Sequence, residues 1–141
     1  MSIYFHTEDV EYNLRGKREI RKWICYVLKN EKKEEGLINI VITGNDKILK
    51  LNQKYLSHNY LTDIITFNYS EKKKINGDLY ISLDTVRYNA TSFKCTVYEE
   101  LLRVVVHGIL HLIGYNDSNT REKEEMKMKE DQYLNRFVNT K

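Results

Sequence analysis

The chain has 141 residues, of which 41% are hydrophobic and 30% are charged, a composition typical of a soluble globular protein. A chain of this length is long enough to form one domain with its own hydrophobic core. No apolar run approaches the roughly 18 residues that a membrane span needs. The net charge of +3 permits binding to a polyanion but does not indicate it by itself. We therefore expect a single domain over residues 1–141 and no membrane partner.

The beginning of the chain and its cysteines predict a cytoplasmic protein. Residues 1–9 lack the basic start and apolar core of a secretory signal. Cys25 and Cys95 are the only cysteines, and their spacing does not suit a metal site, so we expect both to be reduced and buried. The basic clusters at 15–22 and 72–74 are predicted to be solvated surface.

Strands and helices are predicted to alternate through the first two thirds of the chain. Short β-branched or apolar runs predict strands near residues 3–5 and at 37–43, 63–69 and 78–83. Helical spacing of apolar residues predicts helices at about 17–29, from 46 to 56 and from 84 to 93. The basic residues 72–74 and the dipeptide Asn76-Gly77, which is typical of a tight hairpin, predict the turn between the last two strands. Asp84 is predicted to cap the helix that follows.

Two further helices are predicted to complete the chain. Residues 97–113 are apolar almost all round, and a helix without a polar face is a buried helix. The charged segment at about 120–135 predicts an amphipathic helix that packs over the buried one. We therefore predict an α+β fold, in which one mixed sheet of about four strands packs on the buried helix.

The run from His107 to Asp117, on and just after the buried helix, predicts a metal site. His107 and His111 are four residues apart, so their side chains stack on one helical face. Gly114 is suited to end the helix, and the chain can then double back and bring Asp117 toward the imidazoles. Three protein ligands with an open position for water are typical of catalytic zinc. The simpler alternative is that each histidine finds a carbonyl or carboxylate in the core.

Three blocks of sequence lie in order between Leu51 and Asp117. They are Leu51-Asn52 with Thr-Asp-Ile-Ile-Thr-Phe at 62–67, Gly-Asp-Leu-Tyr-Ile-Ser at 77–82, and the pattern His-Gly-x-Leu-His-Leu-x-Gly-Tyr at 107–115. These blocks resemble the signature of the YbeY-type endoribonucleases, the zinc-dependent enzymes of ribosomal RNA maturation in bacteria. The resemblance implies one zinc ion per chain, a ribosomal RNA precursor as substrate, and partners in the ribosome or among ribosome-associated factors.

The chain departs from the family signature at two positions. The family usually ends the signature with a third histidine, where this chain has Asp117. Aspartate is also a good zinc ligand, although its charge weakens the Lewis acidity of the metal and its harder oxygen broadens the choice of metal. The family commonly has an arginine shortly after Leu-Asn, thought to help with the RNA phosphate, where this chain has Leu56.

Several residues are candidates for the missing cation and for contact with the substrate. The candidate replacements for the arginine are Lys54, His58, Arg87 and Arg103. Arg103 shares a helical face with the two histidines, and the simpler alternative for it is a pair with an acid of its own helix, Glu99 or Glu100. We expect the substrate contacts to be Arg103, Lys54, Thr62 and Asp63, the last two at the start of a strand that lines the cleft.

The predicted function is endonucleolytic cleavage of single-stranded RNA by a zinc-activated water, with His107, His111 and Asp117 as metal ligands and catalytic residues. Two alternatives stay open. A zinc peptidase fits the ligand spacing but needs glutamate directly after the first histidine as a general base, and that position is Gly108. A ribosome-assembly factor with a mainly structural metal site fits the absence of the arginine, since a positioned cation is often essential for phosphoryl chemistry.

Overall fold

The computed structural model of the chain describes residues 2–56 and 62–139. Within these residues the strands are β1 (Ile3–Thr7), β2 (Glu34–Thr43), β3 (Ile64–Asn68) and β4 (Lys74–Ser82). The α-helices are α1 (Lys17–Asn30), α2 (Asn45–Leu51), α3 (Leu83–Ser92), α4 (Val97–Ile113) and α5 (Thr120–Asn139). A short π-helical turn, Asn52–Leu56, directly continues α2. His58, one candidate replacement for the family arginine, lies outside the described residues.

The strands form one mixed sheet in the order β1-β2-β4-β3. β1 pairs with β2 and β2 pairs with β4 in parallel, whereas β3 and β4 are antiparallel. Parallel neighbours need a crossover connection, which α1 supplies between β1 and β2. The predicted α+β fold with a mixed sheet of four strands is confirmed. None of the helices in the described ranges is long and apolar enough to cross a membrane.

The turn between β3 and β4 lies at the basic residues of the predicted turn and not at Asn76-Gly77. Residues 71–74 form the turn, and Lys72 has a left-handed φ of 52° there. Asn76 and Gly77 are inside β4, so their assignment to the turn is wrong, whereas the predicted hairpin of β3 and β4 is confirmed. Gly77 is needed for another reason: a Cβ on this residue would lie 2.6 Å from Leu112 Cδ2 of α4. This glycine therefore reflects the close approach of a helix and not the bend of a turn.

Helices α2 and α3 begin beside each other, and the second supplies a cap to the first. Ser82 Oγ accepts a hydrogen bond from the Thr85 amide at 3.1 Å, so Ser82, and not the predicted Asp84, caps α3. Asp84 already lies inside α3, and its Oδ2 accepts from the Asn45 amide at the start of α2, at 2.9 Å. The predicted capping acid therefore acts on the neighbouring helix.

Helix α4 lies at the centre of the core. It begins with a capping box, in which the Glu99 amide donates to Thr96 Oγ1 at 3.0 Å and the Thr96 amide donates to Glu99 Oε1 at 2.9 Å. It packs on β3 and β4 and is flanked by α3 and α5. Gly108 permits the close approach to the sheet, since a Cβ there would lie 2.7 Å from Ile64 Cδ1 and 3.0 Å from Leu79 Cδ1. The prediction of a buried helix on the sheet is confirmed.

Helix α5 packs on α4 and α1 through one side. Met126, Glu130, Tyr133 and Phe137 are buried on it at helical spacing. Trp23 of α1 donates its indole N–H to the Tyr133 carbonyl at 2.7 Å, and its ring meets the Phe137 ring edge to face with centroids 5.0 Å apart. The amphipathic helix predicted for this segment is confirmed.

The two cysteines are unpaired, as predicted, but neither is fully buried. Partial burial, together with the negative charge of Glu35, raises the pKa of Cys25 to about 11. A thiol with such a pKa stays protonated near neutral pH and is a poor nucleophile and metal ligand. Cys25 is therefore a packing residue.

Candidate metal centre

The end of α4 is a Schellman motif. The Gly114 amide donates to the His111 carbonyl at 3.1 Å, and the Tyr115 amide donates to the Leu110 carbonyl at 3.0 Å, which are the two bonds of that motif. Gly114 has a φ of 124°, a value that L side chains rarely adopt. The chain reverses at this glycine, and the reversal brings Asp117 back toward the helix.

The three predicted ligands meet at one place. His107 Nε2 and His111 Nε2 lie 3.0 Å apart, and Asp117 Oδ2 lies 3.4 Å from the first and 3.3 Å from the second. Zinc with tetrahedral ligands at 2.0–2.1 Å needs donor atoms about 3.3 Å apart, so this triangle has the size that one ion requires. The Asp117 side chain is 42% exposed, so the cluster can be reached from solvent. The group could therefore hold a metal ion.

The outer nitrogens of both imidazoles face hydrogen-bond acceptors. His111 Nδ1 lies 3.0 Å from the Tyr115 carbonyl oxygen, which can only accept, so this nitrogen carries the proton. His107 Nδ1 lies 2.6 Å from Glu130 Oε2, which favours the same tautomer. With the proton of each ring at Nδ1, the two Nε2 lone pairs would face each other and the Asp117 carboxylate. Hydrogen bonds to a carbonyl and a carboxylate account for the two Nδ1 atoms only. A bound cation would also satisfy the two Nε2 atoms and Asp117 Oδ2.

Glu130 of α5 joins His107 to Arg103. Its second oxygen accepts from Arg103 Nη1 at 2.8 Å, and Arg103 Nη2 donates to Asp131 Oδ1 at 2.7 Å. Burial lowers the pKa of His107, but the hydrogen bond and negative charge of Glu130 outweigh burial and raise this pKa above its ordinary value. Arg103 therefore pairs with acids of α5 and not with the predicted acids of its own helix, because α5 passes over this face of α4.

Two predicted substrate residues lie where the chain enters β3. Thr62 and Asp63 directly precede that strand, and the charge of His107 acts on the Asp63 carboxyl. Burial nevertheless raises the pKa of Asp63 above its ordinary value. Asp63 is therefore a half-buried acid close to the proposed ligand His107. Its contact with a substrate stays a prediction.

The candidate replacements for the family arginine occupy different elements. Lys54 is an exposed residue of the π-helical turn, and its Nζ lies 5.2 Å from the centroid of the Tyr55 ring. Arg87 lies in α3. Leu56 ends the π-helical turn, and its side chain lies outside the described part of the chain. A substrate contact by Lys54 stays a prediction.

A cleft of about 650 Å³ opens beside the cluster, between α4 and α5. Its polar lining includes His107, Asp117 and Glu130, and its apolar lining includes Phe93, Leu102 and Phe137. A concave, mostly apolar site with a few convergent polar groups is the usual form of a ligand pocket. The cluster is therefore placed where a substrate can reach it.

Two parts of this centre were missed by the sequence interpretation. The burial of Glu130 could have been predicted, because this residue falls at helical spacing among the apolar positions of α5, between Met126 and Tyr133. An acid on the apolar side of an amphipathic helix predicts a buried polar partner. The contact of the Tyr115 carbonyl could not be predicted from the sequence, because every residue has a backbone carbonyl.

The fold and the cluster define a class of protein. An α+β domain with His-x₃-His on a buried helix, and a carboxylate after the helix-ending glycine, has the ligand set of a metal-dependent hydrolase. Comparison with known proteins narrows this class.

The family described as Endoribonuclease YbeY matches residues 2–138. A protein of that name from Cytophaga hutchinsonii is 46% identical over 134 residues, which is 94% of this chain and 94% of the relative. Another from Parabacteroides distasonis is 45% identical, over 95% of this chain and 94% of the relative. The solution structure of TM1509 from Thermotoga maritima matches with a TM-score of 0.69 and 28% identity, over 98% of this chain and 90% of that one. The chain belongs to the endoribonuclease YbeY family.

Proposed function

We propose that the chain is a zinc-dependent endoribonuclease that cleaves single-stranded RNA in the maturation of ribosomal RNA. One observation carries this proposal: His107 Nε2, His111 Nε2 and Asp117 Oδ2 converge, with separations of 3.0, 3.3 and 3.4 Å. The name Endoribonuclease YbeY of relatives that are 46% and 45% identical supports RNA as the substrate.

His107, His111 and Asp117 would hold one zinc ion. When bound, zinc lowers the pKa of a coordinated water toward neutrality and polarises a phosphoryl oxygen. The chain's own contribution is to keep both histidines in the tautomer that offers Nε2, through Glu130 and the Tyr115 carbonyl. The partly exposed Asp117 leaves the cluster open for a phosphodiester.

Lys54 and Arg103 are the proposed phosphate contacts, and their surroundings differ. Arg103 is already bound by Glu130 and Asp131, so its charge is largely neutralised. Lys54 is exposed and makes no ion pair with any residue that the structure describes. We therefore favour Lys54 as the cation that attracts RNA, with Thr62 and Asp63 as further proposed contacts at the start of β3.

The proposal includes a cytoplasmic location and partners in the ribosome or among ribosome-associated factors. The unpaired Cys25 and Cys95 fit a reducing compartment. Ribosomal partners follow from the proposed substrate. Cosedimentation of the purified protein with ribosomal subunits, in the presence and absence of added salt, tests this part of the proposal.

The variant His111→Ala tests the central claim. We expect it to lose bound zinc and to cleave single-stranded RNA about 100-fold more slowly than the wild type, because one ligand of three is missing. Zinc content by elemental analysis and gel-based RNA cleavage are the measurements. The control is His6→Ala, which removes an exposed histidine of β1 bonded to Asn39 and should change neither property. A His111→Ala protein that keeps both zinc and cleavage would refute the proposal.

An assembly factor with a structural metal is the second candidate function, and the neutralised Arg103 is the observation that favours it. It predicts no RNA cleavage by zinc-loaded protein at stoichiometric concentration, and normal ribosome binding by His111→Ala. A peptidase is disfavoured because Gly108 faces Ile64 and Leu79 of the sheet, so the position after the first ligand supplies no base. Incubation of the same preparation with casein and with RNA separates these functions.

A further inference from the structure

Glu31 receives hydrogen bonds from three side chains outside its own helix. It directly follows α1, and its side chain is only 9% exposed. Its Oε1 accepts from the Tyr115 hydroxyl at 2.6 Å, and its Oε2 accepts from the Tyr133 hydroxyl and from Lys129 Nζ, the latter at 3.2 Å. A buried carboxylate is costly unless it is paired and hydrogen-bonded, and these three donors satisfy that requirement. Glu31 therefore ties α1 to α5 and to the turn after α4.

Tyr115 connects this carboxylate to the metal cluster. Its hydroxyl donates to Glu31, its amide donates to the Leu110 carbonyl at 3.0 Å, and its carbonyl accepts from His111 Nδ1 at 3.0 Å. The residue is therefore fixed at both the side chain and the backbone. Lys129 adds a contact, since its Nζ lies 5.7 Å from the centroid of the Tyr115 ring. A shift of the Tyr115 side chain would move the carbonyl oxygen that orients the His111 ring.

We propose that Glu31 is a positioning residue of the metal centre, which acts by holding Tyr115 so that the Tyr115 carbonyl fixes the tautomer and orientation of His111. This inference rests on the proposed function, because it assumes that His111 binds the metal. Partners outside the ligand shell that orient a metal-binding histidine typically change metal affinity by 10- to 100-fold when they are removed. Glu31 acts on His111 only through Tyr115, so we expect its removal to weaken metal affinity by the lower end of that range, about tenfold.

The two tyrosines that share this carboxylate supply a matched pair of variants. Tyr115 and Tyr133 each donate one hydroxyl to Glu31, but only Tyr115 also contacts a proposed ligand. Tyr133 is fully buried and also accepts a hydrogen bond from Asn30 at 2.8 Å. Tyr133→Phe should therefore lower the melting temperature at least as much as Tyr115→Phe does. A merely structural role for the Glu31 contacts predicts that metal affinity follows stability.

The experiment measures metal binding directly. Zinc is titrated into metal-free protein in competition with a chromophoric chelator, and the visible absorption of the cobalt(II)-substituted protein reports the ligand geometry. We expect Tyr115→Phe and Glu31→Ala to weaken zinc binding about tenfold and to shift the cobalt bands. Tyr133→Phe should leave zinc affinity within about twofold of the wild-type value and the cobalt spectrum unchanged. Circular dichroism establishes that each variant is folded.

The outcomes separate this inference from the proposed function. If His111→Ala abolishes zinc binding but Tyr115→Phe does not weaken it, the positioning role of Glu31 is wrong and the metal centre stands. If Tyr115→Phe and Tyr133→Phe weaken zinc binding equally, the effect is general destabilisation and the inference is overturned. If His111→Ala binds zinc as tightly as the wild type, both the proposed centre and this inference fail. Should Glu31→Ala not fold, the two phenylalanine variants alone decide between these outcomes.

Discussion

Glu130 contacts two different partners at the edge of the metal cluster. One oxygen faces His107 Nδ1 at 2.6 Å and the other accepts from Arg103 at 2.8 Å. The carboxylate therefore both fixes the tautomer of a proposed ligand and is itself oriented by a cation. Sequence spacing predicted that His107, His111 and Asp117 lie together, because one helix and its end set their relative positions. It could not reveal the pairing of His107 with Glu130, which depends on how α5 packs on α4.

The variant Glu130→Gln tests this role at the level of one atom pair. The amide oxygen can still accept from His107, but it lacks the charge that favours ring protonation at Nδ1, so we expect zinc affinity to fall about tenfold. Competition with a chelator measures the change. Asp131→Asn is the control, because it removes the other ion pair of Arg103 without touching His107. Equal losses of zinc affinity in the two variants would contradict the assigned role.

Glu31 predicts a pH dependence of stability. Burial alone raises the pKa of Glu31, but hydrogen bonds from Tyr115, Tyr133 and Lys129 outweigh burial and lower this pKa below its ordinary value of 4.5. A lowered pKa in the folded state means that the carboxylate stabilises the fold fully above the unfolded-state pKa. This stabilisation is lost as the pH falls through the folded-state pKa.

We therefore expect Glu31→Gln to lower the free energy of unfolding by about 1–3 kcal/mol at neutral pH. The difference between variant and wild type should shrink as the pH falls below 4.5, the ordinary pKa of this group. Urea unfolding of the metal-free proteins at several pH values measures both quantities. A difference that stays constant across that range would show that the charge of Glu31 does not contribute.

At the scale of elements, the contact between α4 and the sheet is set by two glycines. A Cβ at Gly77 of β4 would lie 2.6 Å from Leu112 Cδ2 and 2.7 Å from the Phe67 carbonyl oxygen. A Cβ at Gly108 of α4 would meet only the ends of side chains, of which the nearest, Ile64 Cδ1, is at 2.7 Å. The helix can therefore lie close to the strands, while His107, on another side of α4, faces Glu130 of α5.

These contacts predict that alanine lowers the free energy of unfolding more at Gly77 than at Gly108. Gly77→Ala should lower the free energy of unfolding by about 1–3 kcal/mol, because a backbone oxygen cannot move aside as a side-chain end can. Gly108→Ala should cost less, because helix propensity favours alanine by about 1 kcal/mol and Ile64 can adjust. Chemical unfolding of both variants gives the order, and a larger loss for Gly108→Ala would contradict this explanation.

The elements themselves were largely predictable, and the errors share one cause. Strands β1 to β4 and helices α1 to α5 were predicted from the local spacing of apolar residues. The predictions of a turn at Asn76-Gly77 and of a cap at Asp84 were wrong, because Gly77 contacts α4 and Asp84 contacts Asn45, both distant in the sequence. Local patterns cannot distinguish a glycine that a turn needs from one that close packing needs.

At the scale of the whole molecule, the hydrophobic core and the group of proposed metal ligands are separate. The buried core extends from Ile3 through α1, the sheet and α4 to Phe137, and it consists of apolar side chains. The cluster lies at the boundary of that core, where Asp117 is partly exposed. The apolar burial that holds the domain together therefore does not require the metal.

Removal of zinc should abolish RNA cleavage while the fold persists. We expect chelator-treated protein to keep its far-UV circular dichroism spectrum and to melt at a lower temperature, because a ligand that binds only the folded state stabilises it. Thermal melts with and without a tenfold molar excess of zinc would measure the shift. Loss of secondary structure on chelation, as in metal-nucleated domains, would contradict the separation of core and cluster.

The place of Asp117, in the segment between α4 and α5, has a consequence for the attraction of RNA. A divalent ion held by two neutral imidazoles and one carboxylate keeps one positive charge, whereas three imidazoles would leave two. The proposed centre of this chain would therefore attract a phosphodiester less strongly through its metal than a centre with a third histidine. More of the attraction has to come from side chains around the cleft, so RNA binding by this protein should weaken with added salt in proportion to the lysines engaged.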